Sequence, residues 1–393
     1  MEKTKIRALT LTILLAGVPT LHANDSDVDI GVVLDGSYQS EARQWGIRDK
    51  GFALGHSELM LSSHIDQNFK GQLITVMGSH GGSTEFEIEE AVIETTNLPY
   101  GLKVKAGRML SNVGYTNSKH LHEDAFADRP AVYRAIFGGH YFDDGVQLSW
   151  LAPTDMYLAL STEVFSGRGW DVGYSAPAEV GVYTTNLQLG DDVGVSNSWR
   201  VGVSTLYNAN GVLFAGEHTG EHSHDHSGHD HGSHDHEHSH GPSVTGRWIY
   251  GLDATWKWAP QGNYRQQNLR ATAELWQVSD RMDSRMENVV GAKDDATGWY
   301  AEVAYQFSPN WTASLRHGEM NAVTGDVHWH NDHYHGEFSD ADITESDIAL
   351  DWHGSHFGRV RAQITHEQAI AQSQTLFTVQ YVMSFGAHHA HAF

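Results

Sequence analysis

The chain of 393 residues has no cysteine. That single absence excludes disulfides, thiolate metal sites and thiol nucleophiles. Positive charge is scarce: 25 Lys and Arg against 49 Asp and Glu give a formal net charge of −24. Phosphate binding needs a basic surface, so nucleic acid is excluded as a partner. Long apolar runs are missing too. Mean hydropathy is −0.43, and only one stretch, near the start, approaches a continuous apolar run, which excludes a bundle of transmembrane helices. Proline is sparse at 8, while glycine reaches 40 and aromatics 10 %. This profile suits many strands joined by tight turns better than disorder. The outlier is histidine, at 28, a side chain that handles protons and borderline metals near neutral pH.

The first residues form a basic segment, followed by an apolar stretch over 8–18 and a small residue at Ala23. The pattern predicts a secretory signal peptide over 1–23, since the apolar stretch is too short to span a bilayer. Residues 24–393 then read as one domain.

Beyond that point the hydrophobic period is 2 almost throughout. Trp248, Tyr250, Leu252, Ala254, Trp256 and Trp258 share one face, and Asp253, Thr255 and Lys257 the other. Sixteen such segments are expected, at 28–37, 51–62, 69–79, 84–96, 101–109, 145–151, 155–166, 178–189, 197–207, 247–257, 264–277, 297–307, 310–320, 344–353, 358–368 and 374–385. Most have the length of a tilted membrane-crossing strand, and their number is even, as bacterial barrels require. Two of them, 51–62 and 84–96, change phase midway, which predicts bulges. The connections alternate short and long, the long ones including 110–144, 208–246, 278–296 and 321–343. The expected fold is therefore all-β: a transmembrane antiparallel outer-membrane β-barrel of about 16 strands with long extracellular loops. A soluble sandwich or lipocalin-like barrel would share the alternation. Aromatics near segment ends (Trp199, Trp248, Trp258, Trp299, Phe307, Trp311, Trp352) and the terminal Phe393 favour a lipid-facing stripe. Inward positions carry both signs: Lys103, Lys105, Arg200, Lys257, Arg270, Arg316 and Arg361 against Asp253, Glu274, Glu302, Asp347 and Asp351.

Three connections carry metal-type ligands. The ninth holds ten histidines, His218, His222, His224, His226, His229, His231, His234, His236, His238 and His240, interleaved with carboxylates. Neutral imidazole with carboxylate suits borderline divalent metals, Zn²⁺ best of all. The thirteenth holds His328, His330, Asp332, His333 and His335, two His-x-His pairs around an aspartate. By parity both lie outside the cell, where capture would begin. The fifth holds His120, His122, Glu123 and Asp124. By analogy with porins, whose long loop after the fifth strand folds into the lumen, these four are expected on the permeation path. His388, His389 and His391 stand at the other end of the barrel, as an exit site or simply the end of the last strand.

The segments IEEAVIET (88–95), KAGRM (105–109), GYTNSKH (114–120), DRPAVYR (128–134), DDGVQLSWLAPTD (143–155) and GAHHAHAF (386–393) resemble a group of zinc-regulated bacterial outer-membrane proteins often labelled TonB-dependent receptors. The resemblance covers most of 84–166 and the C-terminus. It implies zinc-linked expression and a role in zinc uptake. A TonB-dependent receptor, however, has a plug and a 22-stranded barrel, which alone needs roughly 500 residues. The expectation is therefore a plug-less, porin-like channel without TonB coupling, in contact with outer-membrane lipid and able to form homo-oligomers. The alternative is a surface metal-binding or adhesion barrel without transport. No nucleophile motif stands out, so no enzyme is expected.

Overall fold

The computed structural model describes residues 28–168, 180–210, 243–282, 289–330, 333–355, 357–370 and 372–387. Its strands run β1 (Asp29–Gln39), β2 (Gly51–Leu54), β3 (Ser57–His64), β4 (Phe69–His80), β5 (Ser83–Thr95), β6 (Leu102–Leu110), β7 (Phe142–Leu151), β8 (Tyr157–Phe165), β9 (Val182–Val193) and β10 (Asn197–Asn208). They continue with β11 (Trp248–Trp258), β12 (Asn268–Ser279), β13 (Ala296–Ser308), β14 (Trp311–Asn321), β15 (Val323–His330), β16 (His333–Asp340), β17 (Ile343–Ser355), β18 (Gly358–Ala369) and β19 (Ser373–Gly386). One helix, α1 (Ala131–Phe137), interrupts them.

All strands but β15 and β16 form one antiparallel ladder, each paired with its chain neighbour. The ladder closes where β1 meets β19, from Gly31 opposite Gly386 to Gln39 opposite Thr378. Strands β2 and β3 both pair with β1 and occupy one place in the ring. The result is a closed barrel of sixteen strands, each matching one expected segment. Closure leaves no unpaired edge, which a bilayer demands.

The two faces divide as the alternation requires. Along β11 the odd-one-out burial is strict: Trp248, Tyr250, Leu252 and Trp256 are exposed outward, while Ile249, Gly251, Asp253 and Thr255 are buried inward. Leu315, Ile348, Ile364, Phe377, Val379 and Tyr381 continue the outer belt. Inside stand Glu163, Glu274, Arg316, Glu345, Asp347, Arg361 and Gln363. A water-soluble barrel would have placed these sets the other way round.

Short turns at 65–68, 96–101, 152–156, 194–196 and 309–310 lie on one rim, and the other carries the long connections together with the tight turn at 81–82. Short turns belong to the periplasmic side of such barrels, so the rims are inner and outer respectively. The sequence pattern predicts only a loop over 321–343. The structure forms the hairpin β15–β16 there, standing on the outer rim. Val323 and Phe338 of that hairpin pack against Met282, Val289 and Ala292 of the eleventh connection.

Candidate functional site

Residues 111–141, the connection between β6 and β7, enter the lumen and cross it. Asn112 donates its backbone N–H to Glu163 of β8 at 2.9 Å, and Gly114 to Ser204 of β10 at 2.8 Å. The Thr116 hydroxyl meets Tyr300 of β13 at 2.7 Å. Four residues later, His120 Nδ1 is 2.9 Å from Glu89 of β5. Strands β5 and β13 are eight places apart in the ring, hence diametrically opposed. Ala127 then receives support from Gln363 of β18 at 2.9 Å, and Arg316 of β14 donates to the Asp128 carbonyl at 2.9 Å. The loop is thus fastened around the whole circumference.

Its C-terminal half is packed and clamped. Helix α1 is short and buried on all sides, a pattern that only surrounding protein can stabilise. Tyr133 and Phe137 pack edge-on against Trp276, with ring centroids 5.8 and 5.1 Å apart. Val132, Ile136, Tyr300 and Met320 join the same core. The helix starts with Ala131 N–H donating to Glu345 at 2.8 Å, and ends on Gly138 in the left-handed region at φ 64°. Only glycine adopts that conformation without strain. Around the helix runs an ionic network. Arg43 and Arg134 both reach Glu345, at 2.5 and 3.0 Å, and Glu367, at 3.4 and 3.0 Å. Arg316 holds Asp347 at 2.9 Å, and Arg48 holds Asp35 at 2.5 Å. Arg43 and Arg48 belong to the first connection, 40–50, which also turns inward; nothing in its sequence pattern signalled this.

The other half of the loop faces β3 and β5 with a different chemistry. His122 Nδ1 is 2.7 Å from Glu58 Oε1. His120 lies 2.9 Å from Glu89, 3.3 Å from Glu90 and 3.6 Å from Glu58. His56 Nε2 is 3.1 Å from Glu89 Oε1 and 3.6 Å from Glu58 Oε1, and His140 Nε2 is 2.9 Å from the same Glu89 Oε1. Lys105 answers Glu90 at 3.0 Å. Burial lowers the His120 pKa, but Glu58, Glu89 and Glu90 outweigh it and hold the imidazole well above its ordinary value. At His140 burial wins over Glu89, and the imidazole is held below its ordinary value.

Two bulges build this cluster. Between the pairs Gly36–Leu54 and Val33–Glu58, three steps along β1 are matched by four along its partner, and His56 sits in that break. On β5, Ile74 faces Glu90 while Thr75 faces Ile88, so Glu89 is the extra residue. Both Glu89 and Glu90 are consequently buried on the lumen side. A bulge re-aims side chains in this way. The phase changes expected at 51–62 and 84–96 are these two bulges, and they were the signal for His56, Glu58, Glu89 and Glu90. His140 carried no such signal.

Of the residues expected on the permeation path, His120 and His122 join the cluster. Asp124 does not: its carboxylate pairs with Arg129 at 2.8 Å. Glu123 lies near Lys119 and Tyr115 instead. On that side the wall is basic, with Lys119 and Arg200 over the Tyr115 ring at 3.5 and 4.4 Å and Arg270 3.5 Å from Glu302. In the outer hairpin, His328 stands opposite His335 and His330 opposite His333. Asp332, the ten histidines of 218–240, His388, His389, His391 and the expected signal peptide lie outside the described residues.

No family model matches the chain. An uncharacterized protein of Aquifex aeolicus (strain VF5) is 29 % identical over 371 residues, covering 88 % of this chain and 70 % of that one. Among solved structures, an anion-selective porin from Comamonas acidovorans aligns with TM-score 0.55 at 10 % identity, over 92 % of this chain and all of the porin. A loop-L8 deletion mutant of OmpT, an outer membrane protein of Vibrio cholerae, gives the same three values and is likewise covered in full. The trimer form of that Vibrio protein aligns at TM-score 0.53 and 9 % identity, over 92 % of this chain and 100 % of its own. The chain folds as a porin-like outer-membrane barrel, with an apolar outer belt of the kind that faces lipid.

Proposed function

We propose that this barrel is a channel that captures divalent metal, zinc foremost, at its outer rim and passes it to the periplasm. One observation carries the reading: the loop that crosses the lumen sets His120 and His122 against Glu58, Glu89 and Glu90. An ion moving along the axis meets imidazole and carboxylate donors, the set that suits Zn²⁺. The histidines of 218–240 and of 328–335, on connections of the outer rim, would concentrate the ion before entry. The resemblance to zinc-regulated outer-membrane proteins points the same way. Passage is passive, with no TonB coupling, and needs no catalysis. The trimer form of a similar barrel supports a homo-oligomer.

A second reading, a surface metal-binding or adhesion barrel without transport, is favoured by the loop's bonds to opposite walls. Planar-bilayer recording and zinc entry into proteoliposomes loaded with a zinc-sensitive dye separate the two. The channel reading expects ohmic conductance and dye response. A barrel that inserts, yet shows neither, leaves only the second reading.

A further inference from the structure

The cluster on β3 and β5 is not simply a patch of polar wall. Glu58 and Glu89 are buried, with side chains 0 and 2 % exposed. Neither touches a lysine or arginine among the described residues; their ion-pair partners are histidines alone. Two buried carboxylates carry a charge of −2 that must be met by something positive. Protonated imidazoles can supply it. One divalent cation meets both and leaves the imidazoles neutral, as ligands must be.

The geometry fits that alternative. In a tetrahedral zinc site with bonds near 2.0 Å, neighbouring donors are about 3.3 Å apart. His56 Nε2 to Glu89 Oε1 is 3.1 Å, His140 Nε2 to Glu89 Oε1 is 2.9 Å, and His56 Nε2 to Glu58 Oε1 is 3.6 Å. The two rings meet edge to face with centroids 5.5 Å apart. His56 Nε2 is buried and makes no hydrogen bond, although it lies within reach of a carboxylate oxygen; Glu58 Oε2 and His140 Nδ1 also lack hydrogen-bond partners. Such a contact between a ring nitrogen and a carboxylate oxygen becomes favourable when a positive centre, a proton or a metal cation, stands between the two atoms. The donors currently meet in pairs, and among the described residues no three surround a common point. Admitting an ion requires the imidazoles and carboxylates to rotate towards a common centre.

We propose that His56, Glu58, Glu89 and His140 form a divalent-metal site inside the barrel, with His120 and His122 positioning the two carboxylates. His120 Nδ1 holds Glu89 Oε2 at 2.9 Å, and His122 Nδ1 holds Glu58 Oε1 at 2.7 Å. Such outer partners orient ligands and tune their basicity. The site rests on the channel reading for its purpose, as the stopping point between outer loops and periplasm, but its existence does not.

The test uses the purified full-length barrel and a form that lacks residues 217–240 and carries H328A, H330A, H333A and H335A, which removes both outer histidine sets. Crystals soaked in ZnCl₂ and measured at the zinc edge should show anomalous density bonded to His56 Nε2 and His140 Nε2. In solution, Co²⁺ should give a tetrahedral visible spectrum in the deleted form. That spectrum should vanish in H56N/H140N and in E89Q, each checked for folding by heat-modifiable gel mobility. Conductance and zinc flux are recorded on the same preparations. Absence of lumenal density, or an unchanged Co²⁺ spectrum in folded H56N/H140N, overturns the site even if zinc passes. Density with the loss of the spectrum supports the site even if no zinc passes, and in that case it is the channel reading that fails.

Discussion

The crossing loop has two halves built on opposite principles. From 128 to 137 it is held by aromatic packing and guanidinium–carboxylate pairs. At 120–122, and again at His140, it is held by imidazole–carboxylate contacts. Arginine stays charged at any pH the cell meets, and its forked donors fit carboxylates in fixed geometry. A buried Tyr, Phe or Ile adds about 1.5–3 kcal/mol each. Imidazole, by contrast, gains or loses a proton near neutrality and exchanges that proton for a metal. The first half therefore fixes the loop, while the second is free to change partners without releasing it. A binding group mounted on a permanent anchor is what selective passage requires.

The comparison breaks most directly at Glu345. Arg43, Arg134 and the first helical N–H all converge on its carboxylate. Glu345→Ala leaves two buried guanidiniums with only Glu367 in common, at a cost of about 3–5 kcal/mol. The loop should detach at its fixed half. Trypsin should then cut at Arg129 or Arg134, which are buried in the native barrel, and single-channel conductance should rise. Full protection in the variant would mean that the network does not hold the helix.

Trp276→Ala attacks the same half through packing alone. Trp276 is 1 % exposed and supports both Tyr133 and Phe137. Truncation should cost about 3 kcal/mol through the cavity it leaves. The expected result is a lower urea midpoint with zinc or cobalt binding nearly unchanged, since the metal-type donors lie across the lumen. A variant that kept its stability but lost metal binding would show that the two halves are not separate.

How much of this was legible in the sequence follows from how each part is encoded. Strand alternation is a local signal, so the sixteen strands are readable from it; which face turns outward is not, and rests on the aromatics near the segment ends. The inward course of the fifth connection was expected from its position. The partners of that loop were not readable, because a lumen brings together residues far apart in the chain: Arg134 meets Glu345 and Glu367 more than two hundred positions away. His56, Glu58 and Glu89 were half visible, since a phase change marks each bulge but not what the bulge presents. Asp124 was expected as a ligand because it follows His122 and Glu123. Only the fold shows Arg129 five residues on, taking its carboxylate. Hairpin β15–β16 is hard to read because its His-x-His pairs have the spacing of metal ligands and of alternating strand residues at once.

The smallest effect belongs to Tyr133→Phe, and it sharpens the comparison most finely. The Tyr133 hydroxyl donates to Glu274 at 2.9 Å, but Glu274 keeps the Tyr300 hydroxyl at 2.6 Å and the Thr116 N–H at 3.1 Å. The ring itself remains, so its packing on Trp276 and Phe137 is preserved. One donor of three is lost from a buried carboxyl group, worth about 1 kcal/mol. The denaturation midpoint should drop slightly, while conductance, trypsin resistance and metal binding stay at the native level. If Tyr133→Phe instead frees the loop as Glu345→Ala should, the helix depends on its hydrogen bond to β12 and not on packing and guanidinium pairs. The fixed half would then be as exchangeable as the histidine half, and the loop would move as one piece.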